Sequence, residues 1–109
     1  MPLHQAIVNN SIFCVKLLID KNSVNVKGWK DYTPLIYACS FARFNQEIIE
    51  ILLDHGADIN AQSEEGETAL HFAARNGHVE LFKLLEMNGA DLNIYNNKKE
   101  RAVHLLFSK

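Results

Sequence analysis

Residues 56–60 read Gly-Ala-Asp-Ile-Asn, and nearly the same segment returns at residues 89–93 as Gly-Ala-Asp-Leu-Asn. The second copy begins 33 residues after the first. A segment that recurs at such a spacing indicates a stack of repeats, each of them a small unit that cannot bury its apolar face alone.

Two further patterns keep nearly the same spacing along the chain. Apolar pairs stand at residues 17–18, 51–52 and 84–85, and segments of the Thr-Pro-Leu-His type stand at residues 2–4, 33–35, 68–71 and 102–104. The spacing departs from 33 residues at two places: one residue is missing near Ser23, and two are added between Ser40 and Gln46. Repeats are therefore predicted to begin near Met1, Lys27, Gln62 and Tyr95, with bounds of about 1–26, 27–61, 62–94 and 95–109.

At these residues the chain resembles the ankyrin repeat family over essentially its whole length. The resemblance implies an all-α solenoid of stacked helix-turn-helix units with short β-hairpin fingers. It would contain two full and two partial repeats in a single domain, residues 1–109. Helices are expected near residues 2–9, 12–20, 34–41, 46–54, 69–76, 79–87 and 102–107.

The residue types at the ends of these helices have physical reasons. Thr33 and Thr68 suit helix N-caps, where the hydroxyl accepts a hydrogen bond from a free backbone N–H. Gly56 and Gly89 suit the left-handed residue that ends a helix. The second helices carry apolar stripes, at Cys14, Leu17 and Leu18, at Ile48, Ile51 and Leu52, and at Leu81, Leu84 and Leu85. Near-complete burial is expected for five leucines: Leu35, Leu52, Leu70, Leu84 and Leu85.

The composition restricts the class of function. With 48% hydrophobic residues and a formal charge of −2, the chain is a globular domain without the basic surface that nucleic acid binding needs. No apolar run is long enough to span a membrane. Cys14 and Cys39 lie in apolar surroundings and suggest small buried thiols, which favours the cytoplasm or the nucleus.

Catalytic and metal sites find little support in the sequence, and no cofactor is expected. His4, His71 and His104 occupy the motif position of their repeats, where the resemblance implies a role in holding the loops. No His-x-x-x-His or Cys-x-x-Cys spacing and no phosphate-binding loop occurs. Glu64 and Glu65 are adjacent at a predicted finger tip, where solvent leaves little to raise a pKa. The sequence predicts a non-enzyme.

The resemblance implies protein–protein interaction through a concave face of fingers and first helices. Carried over by register, the partner-binding candidates are Trp29, Lys30, Tyr32, Phe41, Glu64, Glu65, Glu67, Arg75 and Asn76. Trp29 either anchors a partner or packs back on its own finger or the next repeat. The glutamates are interpreted as a solvated face, paired at most with Lys30 or Lys98.

Several alternatives stay open. The chain is either an independent binding module or a regulatory segment of a larger enzyme or channel that acts in cis. It is either a short protein with degenerate ends or a fragment of a longer array, and exposed terminal repeats would favour self-association. Asn60 and Asn93 either stabilise loops, which is the favoured interpretation, or are hydroxylated by an asparaginyl hydroxylase that accepts ankyrin repeats.

Overall fold

The computed structural model describes residues 2–40 and 45–106, which form a stack of helix pairs. The helices are α1 (Pro2–Val8), α2 (Ile12–Leu18), α3 (Pro34–Ser40), α4 (Gln46–Asp54), α5 (Ala69–Arg75), α6 (Val79–Met87) and α7 (Ala102–Leu106). We call α1, α3, α5 and α7 the inner helices, because each contacts the next, and α2, α4 and α6 the outer helices. The all-α solenoid predicted from the sequence is confirmed.

The helix ends use the residues that the sequence indicates. The Thr68 hydroxyl accepts a hydrogen bond from the His71 backbone N–H at 3.4 Å, and the Thr33 hydroxyl accepts one from Ile36 at 3.2 Å. Gly56 and Gly89 have φ angles of 89° and 94° after the outer helices α4 and α6. An added Cβ at either glycine would meet nothing within 4 Å, so the left-handed backbone is what demands glycine there.

Three fingers connect the helix pairs: finger two is residues 28–32, finger three is residues 63–67 and finger four is residues 96–100. Each is closed by one backbone hydrogen bond of 2.8–2.9 Å between its first and last residues. Neighbouring fingers are joined by Glu64 N–H to the Lys30 carbonyl at 2.8 Å and by Asn97 N–H to the Glu65 carbonyl at 3.0 Å. Among the described residues the fingers are hydrogen-bonded turns and none forms a strand, because five residues leave room for a single closing pair.

The core lies between the repeats, as predicted, with one exception. Leu35, Leu52, Leu70 and Leu85 are at most 1% exposed, whereas Leu84 is only half-buried. Near-complete burial of Leu84 is therefore wrong. The reason is that α6 buries Leu81, Phe82 and Leu85, so Leu84 lies at the edge of that face. It lines an outer groove with Glu50, Leu53, Asp54 and Asn88.

The expected stripe of α2 is also wrong. Cys14, Leu17 and Leu18 are exposed, while α2 buries Val15 and the following Ile19. Leu18 is equivalent by register to Leu52 and Leu85, both of which are buried. The described residues leave this side of α2 open. Of the two cysteines, only Cys39 is buried, and its burial raises the pKa of the thiol.

Two motif histidines link one repeat to the next. His71 accepts a hydrogen bond from Thr68 N–H at Nδ1 (3.1 Å) and donates from Nε2 to the Glu100 carbonyl (2.9 Å). His4 likewise donates from Nε2 to the Tyr32 carbonyl at 3.0 Å, but its buried Nδ1 has no partner among the described residues. Burial lowers the pKa of His4 and outweighs the bond to Tyr32, which raises it. The loop-holding role of these histidines follows from this geometry.

We expect Leu85→Ala to lower the free energy of unfolding by about 2–5 kcal/mol, through lost apolar burial and a cavity. Leu84→Ala should cost about 1 kcal/mol or less, since Leu84 is half in solvent. Urea unfolding followed by circular dichroism measures both. Equal costs for the two variants would contradict the burial described above.

Protonation of His4 should weaken the fold. Because the folded state lowers its pKa, the unfolded chain takes up the proton first, and the free energy of unfolding should decrease as the pH falls below about 6.5. His4→Gln retains an N–H donor without a titrating ring. Urea unfolding across this pH range should show a steeper loss in the original chain than in His4→Gln, and identical pH profiles would contradict the prediction.

Candidate partner-binding face

An unbroken series of aromatic side chains crosses the finger side of the molecule. The Tyr32 ring lies edge-on to Tyr37, at 5.3 Å between ring centroids, and to Phe72, at 5.5 Å. Trp29 meets Tyr32 at 6.1 Å and His4 meets Tyr37 at 4.7 Å. Tyr32, Tyr37 and Phe72 are half-buried. The series joins finger two to three inner helices, and we call the surface around it the inner face.

Trp29 is the most exposed member of this series. Its side chain is 67% exposed, and the Lys30 ammonium lies 4.7 Å from the centre of its ring. Finger two forms a 3₁₀ turn at Trp29–Asp31, in which Lys30 and Asp31 have φ angles of 55° and 62°. Trp29 thus contacts Tyr32 and the Lys30 ammonium of its own finger, while most of the indole faces solvent.

Arg75 and Glu67 form a bidentate ion pair at the other end of the inner face. Both terminal guanidinium nitrogens of Arg75 donate to the carboxylate of Glu67, which also accepts from Asn96 Nδ2 at 3.1 Å. Burial raises the pKa of Glu67, but Arg75 and Asn96 together lower it more, so the net pKa lies below the ordinary value. Arg75 also lies 5.9 Å from the centre of the Phe72 ring.

Glu67 therefore does not belong to the expected solvated face. Its side chain is only 6% exposed, so that interpretation is wrong for this residue. The physical reason is position: Glu67 closes the base of finger three, where the last turn of α5 brings Arg75 within reach. A basic residue eight positions after a carboxylate at the finger base is a signal that could have indicated the pair.

Glu64 and Glu65 are exposed at the tip of finger three. Their backbones are held by hydrogen bonds to Lys30 and Asn97, and neither carboxylate lies within ion-pair distance of a basic side chain of the described residues. The suggested pairing with Lys30 or Lys98 is absent from this part of the chain.

The structure brings most of the predicted residues to one surface. Trp29, Lys30 and Tyr32 adjoin one another, and Phe72 connects Tyr32 to Arg75. Asn76 caps α5, with its Nδ2 3.5 Å from the Ser40 carbonyl. Phe41 lies outside the described residues.

Tyr37 and Phe72 were missed by the sequence interpretation. They stand at the same register of α3 and α5, two residues after Leu35 and Leu70. An aromatic residue at one half-buried position of successive inner helices was the available signal.

The periodic asparagines hold the loops between repeats. Asn60 Oδ1 accepts from Asp91 N–H at 2.7 Å, and Asn25 Oδ1 accepts from Asp58 N–H at 2.6 Å in the preceding repeat. Asn93 is exposed and accepts from Arg101 at 3.4 Å. The favoured loop role is therefore seen for Asn60 and extends to Asn25.

Two general features of the described residues bear on function. None of the helices within residues 2–40 and 45–106 is long and apolar enough to cross a membrane. In the same residues, no group of three His, Cys, Asp or Glu side chains is placed to hold a metal ion.

Known proteins share both the repeat pattern and the sequence. A family model described as ankyrin repeats in three copies matches residues 1–63, and one described as ankyrin repeats in many copies matches residues 41–86. A probable E3 ubiquitin-protein ligase, XBOS33, of Oryza sativa subsp. japonica is 36% identical over 86 residues, which are 77% of this chain and 16% of that protein.

Two human proteins are similarly close. The SMC5-SMC6 complex localization factor protein 1 is 35% identical over 86 residues, 76% of this chain and 8% of that protein. The transient receptor potential cation channel subfamily A member 1 is 34% identical over 86 residues, 77% of this chain and 8% of the channel. The chain thus spans a small part of the length of each of these relatives. With the family model covering more than half of its residues, the chain belongs to the ankyrin repeat family.

Proposed function

We propose that this chain is a protein–protein interaction module that binds its partner through the inner face. Ankyrin repeats are general, non-catalytic interaction modules. The observation that supports this face is the half-open aromatic series from Trp29 through Tyr32 to Phe72. Aromatic side chains bury a large area at small entropic cost and often carry most of an interface's binding energy.

The proposed contact residues fall into two roles. Trp29, Tyr32 and the neighbouring Phe72 would supply apolar area, and the charged and polar side chains around them would form the rim. The rim residues are Lys30, Glu64, Glu65, Arg75 and Asn76. Glu67 would act indirectly, because its carboxylate holds Arg75 in place. The partner is a protein, and neither nucleic acid nor a membrane is proposed.

A second candidate function is regulation in cis, as a segment of a larger enzyme or channel. Relatives named as a ligase and as a cation channel support it, since the matched residues are 16% and 8% of their lengths. Cross-linking from the inner face in a native lysate separates the two candidates. Cross-links to the same polypeptide would favour the cis role, and cross-links to another protein would favour an independent module.

Location and modification also remain proposals. The free thiols of Cys14 and Cys39 fit the reducing cytoplasm or nucleus. Hydroxylation of Asn60 and Asn93 stays a prediction. Of the two, Asn93 is the more accessible, because Asn60 is half-buried and its side chain bonds the next loop.

We propose self-association through the open side of α2. Phe13 and Leu17 are 71% and 68% exposed one helical turn apart, and Leu18 beside them stands where Leu52 and Leu85 are covered in the later repeats. A second copy that packed on this side would remove the apolar surface from water.

Trp29→Ala should weaken capture of the native partner by about 2 kcal/mol or more, chiefly through faster dissociation. The measurement is affinity capture from native lysate, followed by binding kinetics with the purified partner. Met87→Ala is the matched control, since Met87 is an exposed apolar residue of the outer helix α6. The proposed face is wrong if Trp29→Ala binds like the original chain while an outer-helix change, such as Lys83→Glu, abolishes binding.

Replacement of both Phe13 and Leu17 by glutamine should shift sedimentation equilibrium toward the monomer, because the apolar stripe of α2 is removed. Met87→Gln removes an even more exposed apolar side chain from the outer helix α6 and should leave the mass distribution unchanged. An original chain that is monomeric at every concentration would refute self-association.

A further inference from the structure

We infer that the segment bound by the inner face is basic, with lysine or arginine side chains next to apolar ones. The inference rests on the proposed function and adds the chemistry of the partner. Two observations carry it. The carboxylates of Glu64 and Glu65 are exposed and, within the described part of the chain, unpaired near the aromatic surface, and the charge of Arg75 on that surface is already offset by its ion pair with Glu67.

The carboxylates lie on the finger next to that of Trp29, because fingers two and three are hydrogen-bonded to each other. Glu64 N–H donates to the Lys30 carbonyl at 2.8 Å, which joins the tips of fingers two and three. Glu64 and Glu65 are exposed at this tip without an ion-pair partner among the described residues. Burial raises the pKa of Tyr32, and the nearby Glu65 and Glu67 raise it further, which agrees with carboxylates close to the phenol ring.

Arg75 offers little to an acidic partner. Both of its terminal nitrogens are engaged by Glu67, which is buried and held by Asn96 as well. Glu67 already offsets the Arg75 charge, so an incoming carboxylate would gain less from it, and one that took the two donors held by Glu67 would leave a buried charge without its cation, which is costly. The Arg75 charge is therefore cancelled by a residue that the fold keeps in place.

The charges that remain on fingers two and three are mostly negative. Lys30 is the single unpaired cation, against Asp31, Glu64 and Glu65. Finger four adds Lys98, Lys99 and Glu100, but it lies beyond finger three and away from Trp29.

The aromatic surface suits the same partner chemistry. Lys30 already holds its ammonium 4.7 Å from the centre of the indole, and Arg75 lies over Phe72 at 5.9 Å. Ring faces of this kind attract cations, arginine in particular. A partner arginine can thus stack on a ring of the inner face and pair with Glu65 or Glu64, while its apolar neighbours cover Tyr32 and Phe72.

The chain contains one tryptophan, so the fluorescence of Trp29 reports on this site directly. The probes are two peptides of about twelve residues, long enough when extended to cross the molecule at ~3.3 Å per residue. One alternates leucine, serine and arginine, and the other has glutamate in place of arginine. We expect the arginine peptide to bind at least about tenfold more tightly at low salt, with the difference shrinking as added salt screens the charges.

A double substitution, Glu64→Gln with Glu65→Gln, should weaken binding of the arginine peptide by roughly fivefold or more. The matched control is Glu80→Gln with Glu86→Gln, which removes two exposed carboxylates from the outer helix α6. Circular dichroism should be the same for all variants. The inference is overturned if the two double variants bind the arginine peptide equally well, or if only the Glu80/Glu86 variant loses affinity for it.

The outcomes separate this inference from the proposed function. If the glutamate peptide changes Trp29 fluorescence at equal or lower concentration, the face binds peptides but the basic preference is wrong. If neither peptide alters the fluorescence, the inference is overturned, and the Trp29→Ala capture experiment decides separately on the proposed function.

Discussion

The close approach of the inner helices is the constraint on which the rest of the structure depends. Ala6, Ala38 and Ala73 occupy the same register of α1, α3 and α5, and each is at most 5% exposed. Side chains this small let successive helices contact each other directly, and a larger residue would force the repeats apart. The fingers follow from that spacing, because Glu64 N–H can meet the Lys30 carbonyl only if α3 and α5 are this close.

The inner face is a product of stacking more than of any single repeat. Tyr32 belongs to finger two, yet its ring lies between Tyr37 of α3 and Phe72 of α5. Similarly, Glu67 is held both by Arg75 of its own repeat and by Asn96 of the next. Removing Arg75 would leave the buried carboxylate of Glu67 with Asn96 alone, which destabilises the fold. Loss of packing between repeats would therefore remove the proposed binding surface together with the stability.

The fold was predictable from the sequence because its determinants are local and recur. The register of residues 56–60 and 89–93 identifies the repeats, and threonine and glycine mark the helix ends. Burial was less predictable where it depends on a neighbour. A helical stripe cannot distinguish Leu84 from Leu85, since both lie on the apolar side and only the packing of α6 selects Leu85. The role of Glu67 was hidden for the same reason, because sequence alone does not say that the finger base meets the end of α5.

The two exposed apolar surfaces differ in origin. On α2, Phe13 and Leu17 extend from a regular helix, so their exposure reflects only the absence of a covering neighbour among the described residues. At finger two the backbone itself is specialised. The fourth residue of every finger has a left-handed φ: Asp31, Gly66 and Lys99. Finger two has a second left-handed residue, Lys30, whereas the equivalent Glu65 and Lys98 do not have this conformation. That conformation costs a non-glycine residue roughly 1–2 kcal/mol, and in the same turn the Lys30 ammonium lies over Trp29. Strain of this kind clusters at functional sites, so finger two differs from α2 in having a specialised backbone beside its exposed side chain.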